Sequence, residues 1–262
     1  MSEFTSRSAS NPNVEGMQYH IRMQAGDIPP YVLVPGDPAR VQKIAKLWDT
    51  AEEVANYRQY VTMKGHTEGT EMACTSSGIG SPALAIALEE LVRIGAHTFI
   101  RVGTCGSIQP DIRVGDVIIS SAAVRLDGAS KDYVRVEYPA VADYRVVGAL
   151  AEGAERLGVR YHVGITASTD TFYTGQGRPG YKDYMPSFQE NLFADMQRAQ
   201  VKNFEMESSC LFTLSSLFQV RAGCVCVVVA DRVRDEFKVN DEAEMLPAKV
   251  AIEAMKILQK GS

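Results

Sequence analysis

Short runs of β-branched and aliphatic residues alternate along the chain with longer stretches of helical period, the pattern of an α/β layered domain. Tyr31-Val32-Leu33-Val34 reads as a short buried strand stopped by Pro35-Gly36. Asp37-Pro38 then offers an N-cap and a proline at the first helical position, so a helix is expected to open there. Glu71 to Ser76 reads as a strand, followed by Gly78-Ile79-Gly80-Ser81-Pro82 and a helix through Leu91. Thr98 to Val102 is another strand, expected to end in a loop, Gly103-Thr104-Cys105-Gly106-Ser107. Val117 to Ser120, His162 to Ala167 and Cys224 to Ala230 complete the expected inner strands. Tyr144 to Leu157, Met206 to Phe218 and Glu242 to Leu258 carry the remaining helical periods. There is no internal repeat and no linker rich in Pro, Gly or Ser, which favours one domain over residues 17–262. The polar segment 1–16 before it is expected to be disordered.

Composition narrows the function classes. The 262 residues are 45% hydrophobic and 23% charged with a net charge of −5, which suits a soluble enzyme with a sizeable core. The mild acidity argues against a protein that coats nucleic acid. Met1 to Gly16 has no apolar core of a secretory signal, and no apolar run approaches the roughly 20 residues of a membrane helix. Cys74, Cys105, Cys210, Cys224 and Cys226 are odd in number and form no C-x-x-C pair, so buried free thiols in a reducing, cytoplasmic setting are expected.

Ligands of α/β proteins bind at loops leaving strand C-termini, and three glycine-containing segments follow Val34, Ser76 and Val102. Such loops offer N–H groups to anions, but neither a Walker A sequence nor G-x-G-x-x-G is present. The arginines sharpen the picture. Arg40 follows the Gly36 loop by one helical turn, Arg101 immediately precedes Gly103 at a strand end, and Arg58 lies in Tyr57-Arg58-Gln59-Tyr60. An arginine within an apolar run is costly unless it meets an anion, although surface solvation explains any one of them taken alone.

Five separated segments then match a known family: Val34 to Arg40, Ser77 to Pro82 with Glu89-Glu90-Leu91, Arg101 to Gly106, and Phe204-Glu205-Met206-Glu207-Ser208, in order from about His20 to the last helix. The chain resembles the hexameric nucleoside phosphorylases. Val124 to Ser130, Tyr138 to Asp143 and Asp170 to Arg178 are similar to the uridine-cleaving branch. The resemblance implies a three-layer αβα domain with a central mixed sheet and a homohexamer, a trimer of dimers, whose sites are shared between subunits. It also implies a pentosyltransferase reaction, the reversible phosphorolysis of uridine to uracil and ribose 1-phosphate. Inorganic phosphate is the co-substrate, and no other cofactor is implied. Gly36, Arg40, Arg101 and Thr104 would hold phosphate, with Arg58 reaching in from a neighbouring subunit. Glu207 would accept from the ribose hydroxyls, Met206 would pack beneath the sugar, and Glu205 would belong to the same nucleoside set. His20 would touch the 5′-hydroxyl across the subunit boundary. Cys105, Gly106 and Phe172 would line the base pocket, and Arg232 would keep the base-side loop in place.

Gln176 and Arg178 would choose the base. A glutamine amide presents a donor and an acceptor side by side, which matches uracil at N3 and O2, and Arg178 can donate to O4. Without the resemblance, a Gly-flanked Gln and Arg would read as decoration of a solvated loop. Arg101, Gln176, Arg178 and Glu207 would thus be the catalytic set, working by positioning and electrostatics. The histidines His20, His66, His97 and His162 show no ligand spacing, and the expected chemistry needs no metal.

Three positions depart from the branch pattern. Asp231 stands where asparagine is usual, Gln59 where an acidic residue is, and Cys105 where threonine is common. Asp231 keeps open a purine or broad-specificity phosphorylase; its plainer reading is an ion pair with Arg232 or Arg234. A hydrolytic nucleosidase would not need so many arginines for phosphate. A non-catalytic nucleoside-binding protein would not need Glu207 beside the phosphate set.

Overall fold

The computed structural model describes residues 8–260. The chain enters through a small antiparallel hairpin of β1 (Asn13–Val14) and β2 (Met17–Gln18). Of the segment 1–16 expected to be disordered, residues 1–7 lie outside the described residues. The stretch around Val14 is held in the hairpin, and its side chain is buried. Strand β3 (Tyr31–Pro35) leads into helix α1 (Pro38–Ala45), with Asp37 accepting from the Ala39 N–H at 2.9 Å. An antiparallel pair, β4 (Thr50–Tyr57) and β5 (Tyr60–Thr67), comes next, followed by β6 (Thr70–Thr75) and α2 (Ser81–Arg93). The hydrophobic pattern did not reveal β4, because its Thr50 to Glu53 face water and alternate with nothing apolar.

The central elements are β7 (Thr98–Ser107), β8 (Val117–Leu126), α3 (Ala129–Tyr133), β9 (Ala140–Val141), α4 (Tyr144–Arg156) and β10 (Tyr161–Thr169). After them come α5 (Leu192–Arg198), β11 (Asn203–Glu205), α6 (Ser208–Leu217), β12 (Arg221–Asp231), β13 (Glu236–Phe237) and α7 (Asp241–Lys260). Helix α6 therefore starts two residues later than its apolar period suggested, because β11 occupies the chain just before it.

The sheet is mixed, in the order β13-β12-β8-β10-β11-β7-β3-β6-β5-β4, with β9 on β8. Strand β12 also pairs with β7, so β7, β12, β8, β10 and β11 close into a ring and the remaining strands extend from it. Both faces are covered. Val32, Phe99, Cys224 and Cys226 pack towards Leu84 and Leu88 of α2 and Phe212 of α6. Leu33, Ile100 and Val225 alternate to the other face, against Val41 of α1, Leu150 of α4 and Met255 of α7. A strand buried on both faces reads as a continuous apolar run, which is why these strands were legible. The result is three layers, helix on sheet on helix, in a single α/β unit.

One expectation fails here. The segment Gly103 to Ser107 is not a loop but the second half of β7, paired in parallel with Cys226 to Asp231 of β12. Its glycines break the hydrophobic pattern without breaking the strand, because the ladder to β12 supplies their hydrogen bonds.

Candidate functional site

The partners of β7 explain where a ligand can enter. One edge of the strand is taken along its length by β12. The other edge is shared: parallel β3 covers Thr98 to Val102 and ends, and antiparallel β11 begins at Gly106. Gly103, Thr104 and Cys105 lie in the break, where neither neighbour reaches. Such a switch point between diverging strands is where α/β sheets open a crevice. A cavity of about 250 Å³ occupies it.

Arg40 and Arg101 face this cavity from different parts of the chain. Arg40 is carried there by the first turn of α1, which Asp37 caps; its nearest carboxylate, Glu244, stands 3.9 Å away. Arg101 is buried on β7. Its Nε donates to Glu205 Oε2 at 2.8 Å and its Nη2 pairs with Glu207. Gly103 makes this possible: a Cβ there would lie 3.0 Å from Arg101 Nη2 and 3.0 Å from Cys226 Sγ. Burial opposes the charge on Arg101, but Glu207 and then Glu205 outweigh it and hold its pKa well above the ordinary value.

Glu207 precedes α6 and accepts from the Gly80 N–H at 2.6 Å, at the N-terminus of α2. Burial raises its carboxyl above the ordinary range, against Arg101, while Glu205 adds to the rise and the N–H groups of Gly80 and Met206 oppose it. Met206 lines the cavity beside it. Glu205 has no exposed side-chain surface, and its oxygens accept from Arg101, Ser168 and the N–H groups of Glu207 and Ser208.

At the other end, the short turn Thr174–Gln176 brings Gln176 into the wall, almost fully buried. Arg178 Nη1 donates to Gln176 Oε1 at 2.5 Å and to the Phe172 carbonyl at 2.9 Å, and its guanidinium lies 4.2 Å from the Phe172 ring centroid. The second lone pair of Gln176 Oε1 and its amide N–H groups remain for a ligand. Gly106 leaves room for this end, since a Cβ there would lie 3.4 Å from Arg178 Nη2. Burial lowers the Arg178 pKa. Arg232 stands behind the wall, donating to the carbonyls of Gln176 and Gly177; burial and the nearby Arg178 lower its pKa to about 10. It stays charged at neutral pH and pins the turn.

Gly36, Arg40, Arg101, Thr104, Cys105 and Gly106 thus meet Phe172, Gln176, Arg178, Glu205, Met206 and Glu207 around one cavity. His20 and Arg58 do not join them. His20 Nδ1 lies 2.7 Å from Glu90, and Arg58 Nη2 donates to the Tyr19 hydroxyl at 3.3 Å. Tyr19 stacks edge-on against His20, so both residues meet around one tyrosine, outside the cavity's lining. Asp231 is paired with Arg234 at 2.6 Å and accepts from the N–H groups of Val233 and Arg234. Burial would raise its pKa, but Arg234 and those N–H groups hold it below the ordinary value. Its plainer reading is therefore the one the structure takes. Among the described residues, no group of three or more His, Cys, Asp or Glu is placed to hold a metal ion.

A family model described as the phosphorylase superfamily matches residues 30–259. The chain belongs to the phosphorylase superfamily. It is 59% identical over 252 residues to a uridine phosphorylase of Thermococcus kodakarensis, across 96% of this chain and 90% of that protein. It is 40% identical over 248 residues to a uridine phosphorylase of Escherichia coli, across 92% of this chain and 97% of that one. A guanosine phosphorylase of Halorubrum lacusprofundi is 38% identical over 232 residues, across 88% of this chain and 91% of its own length.

Ser168, which contacts Glu205, and Phe237, which lines the cavity, escaped sequence reading in this superfamily member. Gly80, which contacts Glu207, and Ile79, which lines the cavity, belong to the glycine segment singled out after Ser76, although neither was given a role. Ser168 offered a faint signal, a hydroxyl at the end of the apolar run of β10. Phe237 offered none, since its place depends on β13 folding back on β12.

Proposed function

We propose that this chain is a uridine phosphorylase, a pentosyltransferase that reversibly converts uridine and inorganic phosphate to uracil and ribose 1-phosphate. The observation that carries the reading is the pairing of ends in one cavity. Arg40 and Arg101 offer guanidinium groups at one end, and Gln176 with Arg178 offers a donor–acceptor edge at the other. Glu207, paired with Arg101, and Met206 line the same cavity, where a ribose would sit. The identity to two uridine phosphorylases supports the same reading.

In the forward direction a phosphate oxygen, held by Arg40, Arg101, Gly36 and Thr104, bonds to C1′ as the bond from C1′ to N1 of the base breaks. The electron pair leaves with the base, and Gln176 and Arg178 stabilise the uracil anion before it takes a proton from water. Positive charge developing on the sugar faces the bound phosphate, and Glu207 orients the ribose hydroxyls. Rate enhancement comes from orientation and preorganised charge. Phosphate is co-substrate, and no cofactor enters these steps. Cys105, Gly106 and Phe172 form the base pocket, and Arg232 fixes its turn.

We assign His20 and Arg58 to a neighbouring subunit's site, at the 5′-hydroxyl and the phosphate. Their shared contact with Tyr19, and their absence from the lining of this chain's own cavity, support a homohexamer with shared sites. No helix among the described residues is long and apolar enough to cross a membrane. The five cysteines are free and buried, which suits the reducing cytoplasm.

The guanosine phosphorylase relative favours a second reading, purine or broad specificity; the engagement of Asp231 by Arg234 weighs against it. A substrate panel decides. Purified protein is expected to release uracil from uridine only when phosphate is present, and faster than it releases guanine or hypoxanthine from the purine nucleosides. A higher kcat/KM on guanosine or inosine overturns the pyrimidine reading.

A further inference from the structure

We infer that Glu205, oriented by Ser168, is a positioning residue that sets Arg101 and Glu207 together and does not itself touch the nucleoside. It deepens the uridine-phosphorolysis reading and rests on it for the assay substrate.

The hydrogen-bond count leads there. Glu205 Oε2 accepts from Arg101 Nε at 2.8 Å, from the Glu207 N–H at 2.9 Å and from the Ser208 N–H at 3.0 Å. Its Oε1 accepts from Ser168 Oγ and from the Ser208 N–H at 3.1 Å. A carboxylate has about four lone-pair sites, and protein donors occupy them, with no side-chain surface left exposed. Ser168 has no freedom to turn away. Its acceptor side takes the Ser209 N–H at 2.9 Å, so its proton goes to Glu205. Ser209 is held in turn, its hydroxyl donating to the buried Asp127.

One carboxylate therefore does two things. It pins the Nε of Arg101, so that Nη2 turns to Glu207 and Nη1 is left for the cavity. It also ties down the N–H groups of Glu207 and Ser208, which fixes the backbone that aims the Glu207 side chain. These are the groups placed on phosphate and on ribose. Strands β10, β11 and β7 reach one another through Ser168, Glu205 and Arg101, so the groups placed on phosphate and on ribose are set by a shared buried anchor. Glutamine cannot replace Glu205 here. Both oxygens face donors, so an amide N–H₂ at either position opposes Arg101 Nε or the N–H of Ser208.

The test uses three variants of the intact protein: Glu205→Gln, Ser168→Ala and Ser168→Thr, which keeps the hydroxyl. Inorganic phosphate Kd is measured by calorimetry without nucleoside, alongside kcat and the KM values for phosphate and uridine. Losing a hydrogen bond to a charged group corresponds to about 10- to 100-fold. Glu205→Gln is expected to raise the phosphate Kd by that factor, lower kcat and raise both KM values together. Ser168→Ala should move the same quantities in the same direction by less, and Ser168→Thr should restore them. If Glu205→Gln raises only the uridine KM and leaves the phosphate Kd within about twofold, well below that range, Glu205 contacts nucleoside and the inference is overturned. Should Glu205→Gln not fold, the serine pair decides: Ser168→Ala indistinguishable from the parent in phosphate Kd overturns it. A parent that binds phosphate but leaves uridine intact sinks the uridine reading alone, since the variants' phosphate Kd values still judge the positioning role. A parent that binds no phosphate sinks both.

Discussion

Gly103→Ala is the smallest change that probes how the cavity is built. Gly103 has no left-handed backbone to protect, so the substitution acts through space alone. Its Cβ would stand 3.0 Å from Arg101 Nη2, 3.1 Å from Arg101 Cζ and 3.0 Å from Cys226 Sγ. Comfortable contact needs about 3.5–4.0 Å, so something must give by about 0.5–1 Å. The backbone cannot, because β7 is paired with β12 through this residue. The guanidinium is the softer partner, although Glu205 and Glu207 hold it from two sides. Overpacking of this kind costs about 1–3 kcal/mol of stability. A displacement of about 1 Å in a positioning group costs about 100-fold in rate. We expect kcat/KM for uridine to fall by about 10- to 100-fold with the phosphate KM raised, and the melting temperature to fall modestly. Adding Cys226→Ala removes the clash with sulfur but not the clash with Arg101. It should recover stability and leave the rate low. Steady-state kinetics at varied phosphate and thermal unfolding read both quantities. If Gly103→Ala keeps kcat/KM within twofold of the parent, Arg101 is not held against this strand for catalysis and the reasoning fails.

Three other outcomes follow from the same geometry. Arg178→Ala leaves the buried Gln176 Oε1 without its partner, and the preference for uridine over inosine in kcat/KM should shrink by about 100-fold while the phosphate KM changes little; a preserved ratio removes these residues from base choice. Glu207 holds its proton more tightly in the folded state than in the unfolded chain, so acidification through a pKa above the ordinary 4.5 should silence activity while favouring folding at that site. A pH–rate profile whose acid limb lies above 4.5 in the parent and is absent in the residual activity of Glu207→Gln supports this, and an unchanged limb refutes it. Mixing inactive Arg58→Ala and Arg101→Ala subunits under conditions of subunit exchange should regenerate a fraction of parental activity, since some sites would draw both arginines from intact sequences; no recovery after demonstrated exchange argues against shared sites.

The sequence by itself determined the layers and most of the site's membership. Val32 to Val34 and Cys224 to Val229 are apolar without interruption, and Phe99 to Val102 is broken only by Arg101, because both of their faces are covered; Asp37-Pro38 announced the helix that carries Arg40. Arg101 stood out because an arginine within an apolar run is costly without an anion, whereas Gln176, Arg178 and Glu207 were legible only through the resemblance to the phosphorylases. Tertiary structure alone decided how these residues meet. The reading of Gly103 to Ser107 as a loop failed because strand pairing depends on a neighbour from residue 226 onward, which no local pattern encodes. The division of β7's edge between β3 and β11, which opens the cavity, is a property of three distant segments. Ser168 and Gly80 entered the site by the same route, through contacts 37 and 127 residues away along the chain. Periodicity reports which face of an element is buried; which carboxylate that face meets is settled only when the sheet closes.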